Sequence, residues 1–220
     1  MGYRHMKDII IVCAGNYGKE VYYTIRRVNE AAIRDGKEAP YHMIGFLSDV
    51  PDALEGSEVD LPIIGTIQDW KPVGDEVYAL GLGTPASKKK VASMLKSRGC
   101  KFETIISPSV IIPDYTEIGE GCLIKAYHIA SGVKIGNFVN IHGSMMMPGA
   151  VLGDYCTSTG FAVVENATIG EGVYIGSHCV VMEGVHVGDN VNIGAGSIVT
   201  QDVPSDKRIF GYPAIEMRVK

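Results

Sequence analysis

Residues 167–199 read ATIGEGVYIGSHCVVMEGVHVGDNVNIGAGSIV. Ile169, Ile175, Val181, Val187, Ile193 and Val199 recur in it every six residues without a gap. Two positions before each stands Ala167, Val173, Cys179, Val185, Val191 or Ser197, mostly small. A helical face repeats near 3.6 residues, and glycine at this density erodes a helix. A period of six suits a parallel β-helix of three short faces per coil, with aliphatics inward and Gly, Asn or Asp at the corners. Upstream the coil shortens: Ile118-Gly119, Ile135-Gly136, Leu152-Gly153 and Ile169-Gly170 step by 17, and Gly170 to Gly188 by 18. Each residue of the early coils then stacks on the one 17 before it, one strand spacing of ~4.8 Å away.

This stacking reassigns residues that look chemical. Cys156 falls in a column with Cys122, Val139 and Val173, so it reads as interior packing and not as a nucleophile. Cys179 occupies the same small inward position. Met145, Met146 and Met147 read as core and subunit-interface filler, with the exposed part of the patch to be covered by another copy of the chain.

Ahead of the repeat, short apolar runs alternate with helical stretches. DIIIVC (8–13) is a buried strand, and a helix opens near Gly18 with Val21, Ile25, Val28 and Ala32 on one face. YHMIGFLS, LPIIG, EVYALGLG and KFETIIS supply further extended pieces, and PASKKKVASMLKSRG a second helix stopped by Gly99. Such alternation predicts a small doubly wound parallel sheet. The expected organisation is a Rossmann-like domain over residues 1–107, a parallel β-helix over 108–203 and a tail over 204–220.

The turn Cys13-Ala14-Gly15-Asn16-Tyr17-Gly18 is a partial dinucleotide fingerprint, with Cys13 where the first glycine belongs. Gly15, Asn16 and Gly18 either let backbone N–H groups approach a phosphate at a helix N-terminus or simply make a tight turn. Asp49, at the end of the second strand, reads as an acceptor for a ribose or base, or as a loop residue.

The 220 residues are 46% hydrophobic and 20% charged, which describes a globular chain. A net charge of −5 argues against a nucleic-acid partner. No apolar run is long enough to span a membrane. The N-terminus lacks the pattern of a signal peptide, and Met1–His5 reads as an addition ahead of a start at Met6. Five scattered cysteines, in no zinc-binding pattern, suggest free thiols in a reducing, cytoplasmic compartment.

Together VCAGNYGKEV, MIGFLSDVP, LPIIGT, the hexads and DVPSDKRIFGYPA resemble a family over nearly the whole chain. It is that of the bacterial nucleotide-sugar acyltransferases of the sialic acid O-acetyltransferase and bacillosamine-pathway N-acetyltransferase type. The resemblance implies a left-handed coil and a homotrimer with acetyl-CoA between subunits. It implies acetyl transfer to an amino or hydroxyl group of a nucleotide-linked sugar. The nucleotide would lie near Gly15, Asn16, Gly18 and Asp49, the acetyl carbonyl near the Gly160 N–H, and pantetheine along Gly194 and Ala195. Lys207 and Arg208, with Arg218 and Lys220, would meet the coenzyme A phosphates, or form a solvated tail.

The family's His–acid base pair falls on Met147 and Pro148, its second His on Cys156, its strand-end acid on Ser48, and its late Lys or Arg on Ile215. The usual base is therefore missing. By the 17-residue rule Glu165 stacks on Pro148, His142 on Lys125 and His128 on Met145, which makes Glu165, His142 and His128 candidate substitutes. For each histidine a structural role is the competing reading; His178 and His186 read as structural turn residues. A binding or scaffolding homologue without chemistry is the alternative function. A nicotinamide-binding protein is a weaker third, since the first glycine is absent.

Overall fold

The computed structural model describes residues 6–216; Met1–His5, Arg218 and Lys220 lie outside the described residues. Six strands and two helices open the chain. These are β1 (Lys7–Val12), α1 (Asn16–Arg34), β2 (Tyr41–Leu47), β3 (Ile63–Gly65), β4 (Val77–Leu80), α2 (Pro85–Ser97), β5 (Lys101–Phe102) and β6 (Ile105–Ile106). The first five strands form one sheet in the order β3-β2-β1-β4-β5, with every pairing parallel. Ile9 to Val12 are buried because both faces of the central strand are covered. Val21, Tyr22 and Ile25 of α1 pack with Ile9, Ile11 and Phe46, while Ala92 and Leu95 of α2 pack with Ile10, Val12 and Tyr78. Among the described residues no helix is long and apolar enough to cross a membrane.

KFETIIS, expected as one strand, splits. Lys101–Phe102 stays with β4, whereas Ile105–Ile106 pairs with Leu123–Ile124 and becomes the first rung of the coil. From there the chain is a three-sided parallel β-helix with three walls. One wall runs through 117–118, 134–135, 151–152, 168–169 and 186–187; the second through 128–129, 145–146, 163–164, 180–181 and 198–199. The third starts at β6 and climbs through 123–125, 140–142, 157–158, 174–175, 192–193 and 208–211. The wall thus continues into the expected tail. Residues 214–216 then fold back antiparallel on 209–211.

Inside, the inward aliphatics Ile135, Ile141, Ile169, Ile175, Val181, Ile193 and Val199 share one core with Cys122, Val139, Cys156, Val173 and Cys179. The Cys156 Sγ donates to Gly170 O at 3.0 Å, and burial pushes its thiol up to about 12 and that of Cys122 to about 11. Met146 is in this core as well, while Met145 and Met147 are half-buried, so the expected exposed three-methionine patch is smaller than its sequence suggests.

The 17-residue register fails on one wall. Met145 and Met146 pair with Val163 and Val164, a step of 18, although Ile141 pairs with Ser158 and Leu152 with Ile169, steps of 17. The turn Thr159-Gly160-Phe161-Ala162 carries one residue more than the turn below it, and Glu165-Asn166 one fewer than Met147-Pro148-Gly149. The insertion and deletion cancel between the Ile-Gly pairs. Glu165 therefore follows a residue stacked on Met146 and stands over Met147, not Pro148.

The sheet unit docks against the third wall through the loop after β4 and through both helices. Asn140 Nδ2 donates to Leu82 O at 2.8 Å, and Thr157 Oγ1 to Gly83 O at 2.7 Å. Lys88, fully buried, donates to Phe138 O at 2.8 Å and Cys156 O at 2.7 Å. Ion pairs Lys125–Glu20, Lys96–Glu120 and Lys89–Glu171 close the seam.

Candidate active site

In an open parallel sheet, ligands sit outside the carboxyl ends of the strands where the order reverses. Here the reversal lies between β1 and β4, and the loops that follow them meet the coil wall. After β1, Cys13 has φ +80, the left-handed conformation that a glycine adopts freely. The glycine is lost, but its backbone shape is kept. Gly18 is buried, and a Cβ there would fall 1.8 Å from Cys13 O. It is the glycine that lets α1 start hard against the strand end, and it does not line a crevice. Gly15 is the exposed N-cap of α1, with room for a Cβ, and Asn16 follows it into the open.

The next residue, Tyr17, organises the crevice. Its ring lies so close to Gly83 that a Cβ there would come within 2.2 Å of it. It meets the His142 ring edge-on, with centroids 5.0 Å apart. Asn16, Tyr17, Lys19, Glu20 and His142 line a crevice of about 460 Å³. Burial first, then the Tyr174 hydroxyl and Glu20, raise the Tyr17 pKa.

His142 ends the rung 140–142, and its Nε2 is buried without a hydrogen-bond partner among the described residues. Burial, then Lys125, lowers its pKa to about 4, so the imidazole is neutral at pH 7. Lys125 also holds the Glu20 carboxylate below its usual range by hydrogen bonding. Because Ile141 pairs with Ser158, His142 lies beside Thr159, and Gly160 comes next. The Gly160 N–H has no acceptor among the described residues, and a Cβ at Gly160 would meet open space. A neutral imidazole and a free amide donor thus stand on adjacent rungs.

The other expected residues lie elsewhere. His128 is exposed and Glu165 half-buried on the second wall, where Glu165 Oε2 accepts from Glu183 N at 3.1 Å; neither lines the His142 crevice. Asp49 Oδ1 accepts from Ile67 N at 2.8 Å and Gln68 N at 3.2 Å, which holds a turn. Gly194 lies under the Phe210 ring, 2.7 Å from where its Cβ would be, and Ala195 is exposed at the corner. Lys207 pairs with Glu216 at 2.7 Å. Arg208 faces a cleft beside Thr84 and Pro85.

Sequence reasoning missed Tyr17, Gly83 and Lys88. The Gly81-Leu82-Gly83 spacing was the available signal for a second close approach: a Cβ on Gly81 would come within 2.5 Å of Gly18 Cα. For Lys88 the signal was its place three residues before Val91 and seven before Leu95, on the buried face of α2.

Comparison with known proteins agrees with this architecture. The family profile described as the GMPPB C-terminal domain matches residues 104–207. The GDP-perosamine N-acetyltransferase of Escherichia coli O157:H7 is 29% identical over 93% of this chain and 94% of its own. WeeI from Acinetobacter baumannii AYE superposes with a TM-score of 0.80 at 25% identity, covering 96% of this chain and all, 100%, of that one. A mutant perosamine N-acetyltransferase from Caulobacter crescentus, solved with CoA and GDP-perosamine, gives a TM-score of 0.80 at 19% identity over 96% and 97% of the two chains. The hexad coil, the parallel-sheet unit docked on its wall and a relative similar from end to end together support a likeness to the bacterial nucleotide-sugar N-acetyltransferases of the hexapeptide-repeat type.

Proposed function

We propose that this chain transfers the acetyl group of acetyl-CoA to an amino group of a nucleotide-linked sugar, with His142 as the base. The Rossmann-like unit holds the nucleotide and a left-handed coil carries the chemistry. The observation that carries this reading is the unpartnered Nε2 of His142, a residue that lines the crevice one rung below the free Gly160 N–H.

The acceptor nitrogen attacks the thioester carbonyl carbon, whose oxygen takes up negative charge opposite the Gly160 N–H. The nitrogen's proton passes to His142 Nε2, the C–S bond breaks, and the proton leaves on the coenzyme A thiolate. A base with a pKa near 4 is weak, which suits an amine better than a hydroxyl, since a neutral amine is already nucleophilic. Glu165 and His128, on another wall, would serve only the site of a neighbouring subunit in a homotrimer. The five thiols, all unpaired, fit a reducing cytoplasm.

The test is His142→Asn beside Glu165→Gln, with coenzyme A release followed on 4-amino-sugar nucleotides. His142→Asn is expected to lower kcat by about 10²–10⁴-fold, the usual worth of a positioned base, and Glu165→Gln by less than twofold. Equal, small effects would refute His142 as the base. The Met147-Pro148 pair, where the family has its base, favours a binding homologue as the second reading. Binding of both ligands with no turnover in the unmodified chain would establish that one.

A further inference from the structure

A second cleft, of about 620 Å³, opens where the first turn of α2 meets the upper coil. Thr84, Pro85, Ala86 and Lys89 wall it from the sheet unit, and Tyr174, Asn192 and Arg208 from the coil. Register explains its coil side. Asn140, Thr157, Tyr174, Asn192 and Arg208 form one outward column, each hydrogen-bonded rung above the last. The two lower members are used up in holding Leu82 O and Gly83 O. The three upper ones face the cleft.

Charge singles out Arg208. Lys89 is paired with Glu171 and Lys207 with Glu216, whereas the Arg208 guanidinium has no hydrogen-bond or ion-pair partner among the described residues. A planar five-donor fork left open over a cleft matches a phosphate ester or anhydride better than it matches bulk water. The first turn of α2 opens into the same space, with Thr84 making no side-chain cap, and adds donors of the same sign.

We propose that this cleft seats the diphosphate of the nucleotide-linked substrate, with Arg208 from the last coil as its cation. The inference rests on the acetyl-transfer reading above, and it moves Arg208 from the coenzyme A phosphates to the acceptor. The loop after β4, one lip of the reversal point between β1 and β4, forms one wall of the cleft, which is where an α/β sheet binds its nucleotide. From the His142 rung to the Arg208 rung is four strand spacings, about 19 Å. The two side chains and a hexose bearing a diphosphate cover that span together, the sugar reaching His142 past Tyr17.

The experiment is calorimetry on the full chain with GDP, UDP and coenzyme A as separate probes, for the wild type, Arg208→Gln and Asn192→Ala. Arg208→Gln should weaken the better nucleoside diphosphate at least tenfold and leave coenzyme A within twofold, which also reports that the variant is folded. Asn192→Ala should weaken the same probe by a smaller factor. If Arg208→Gln weakens coenzyme A and spares the nucleotide, the cleft belongs to the donor and the proposal is overturned. An unchanged affinity for both also overturns it. A wild type that binds coenzyme A but neither nucleotide removes the acceptor assignment and this site together. One that binds nucleotide but not coenzyme A removes the acetyl-transfer reading and leaves the cleft standing.

Discussion

Replacing Lys88 by Met tests the junction between the two units directly. Lys88 is fully buried, its ammonium donating to Phe138 O and Cys156 O. Burial lowers its pKa from 10.5 to about 7. In the unfolded chain the amine keeps a proton up to about pH 10.4, so the unfolded state binds more protons across the window from 7 to 10.4. Stability therefore rises with pH there, by about 1.4 kcal/mol per unit where the folded amine is neutral and the unfolded one charged. Between pH 7 and pH 9 the gain is about 2 kcal/mol. Met matches the length of the side chain without the charge, so its variant should lose this slope. It gives up the bond to Phe138 O, at a cost of about 1–3 kcal/mol, whereas Cys156 O keeps the Asn140 N–H. The two stability curves should then cross, the wild type being the more stable at pH 9 and falling toward or below the variant at pH 7. Urea unfolding at pH 7, 8 and 9 measures this. A Met variant with the wild-type slope would mean that Lys88 does not carry the proton difference.

Gly18→Ala places a methyl 1.8 Å from Cys13 O, a backbone atom that cannot swing away, so a loss of about 3 kcal/mol or more in stability is expected by chemical denaturation. Lys125→Met frees Glu20 and removes a cation that, after burial, lowers the His142 pKa. The acid limb of kcat should shift upward from its wild-type position near pH 4, while burial keeps it below 6.5; a pH–rate profile, with the histidine followed by NMR, decides it.

The coil was legible because its signal is strictly periodic: one inward aliphatic per rung leaves few other ways to bury Ile169 through Val199. The offset at Met145–Val163 was hidden because an extra residue at Gly160-Phe161 and a missing one at Glu165-Asn166 cancel before the next Ile-Gly pair. Counting from a single corner cannot see two compensating changes at the other two. The partial fingerprint marked the strand-to-helix turn beside the proposed crevice, yet the role of its glycines came only from the close approach of Gly18 to Cys13 and Gly81. His142 was one of three candidates by stacking. The structure sets it beside Tyr17 and the α1 N-terminus, and no local pattern in the sequence brings residue 17 to residue 142.

The outward column from Asn140 to Arg208 makes the coil a ruler. Reach along the wall comes only in whole rungs of about 4.8 Å, since each step is one backbone hydrogen-bond spacing. Inserting one complete turn between Ile175 and Asn192 would carry Arg208 one notch further from His142 and from the first turn of α2, leaving the His142 rung as it is. On the proposed site, the number of turns would set the length of substrate accommodated, while His142 and its neighbours would set the reacting end.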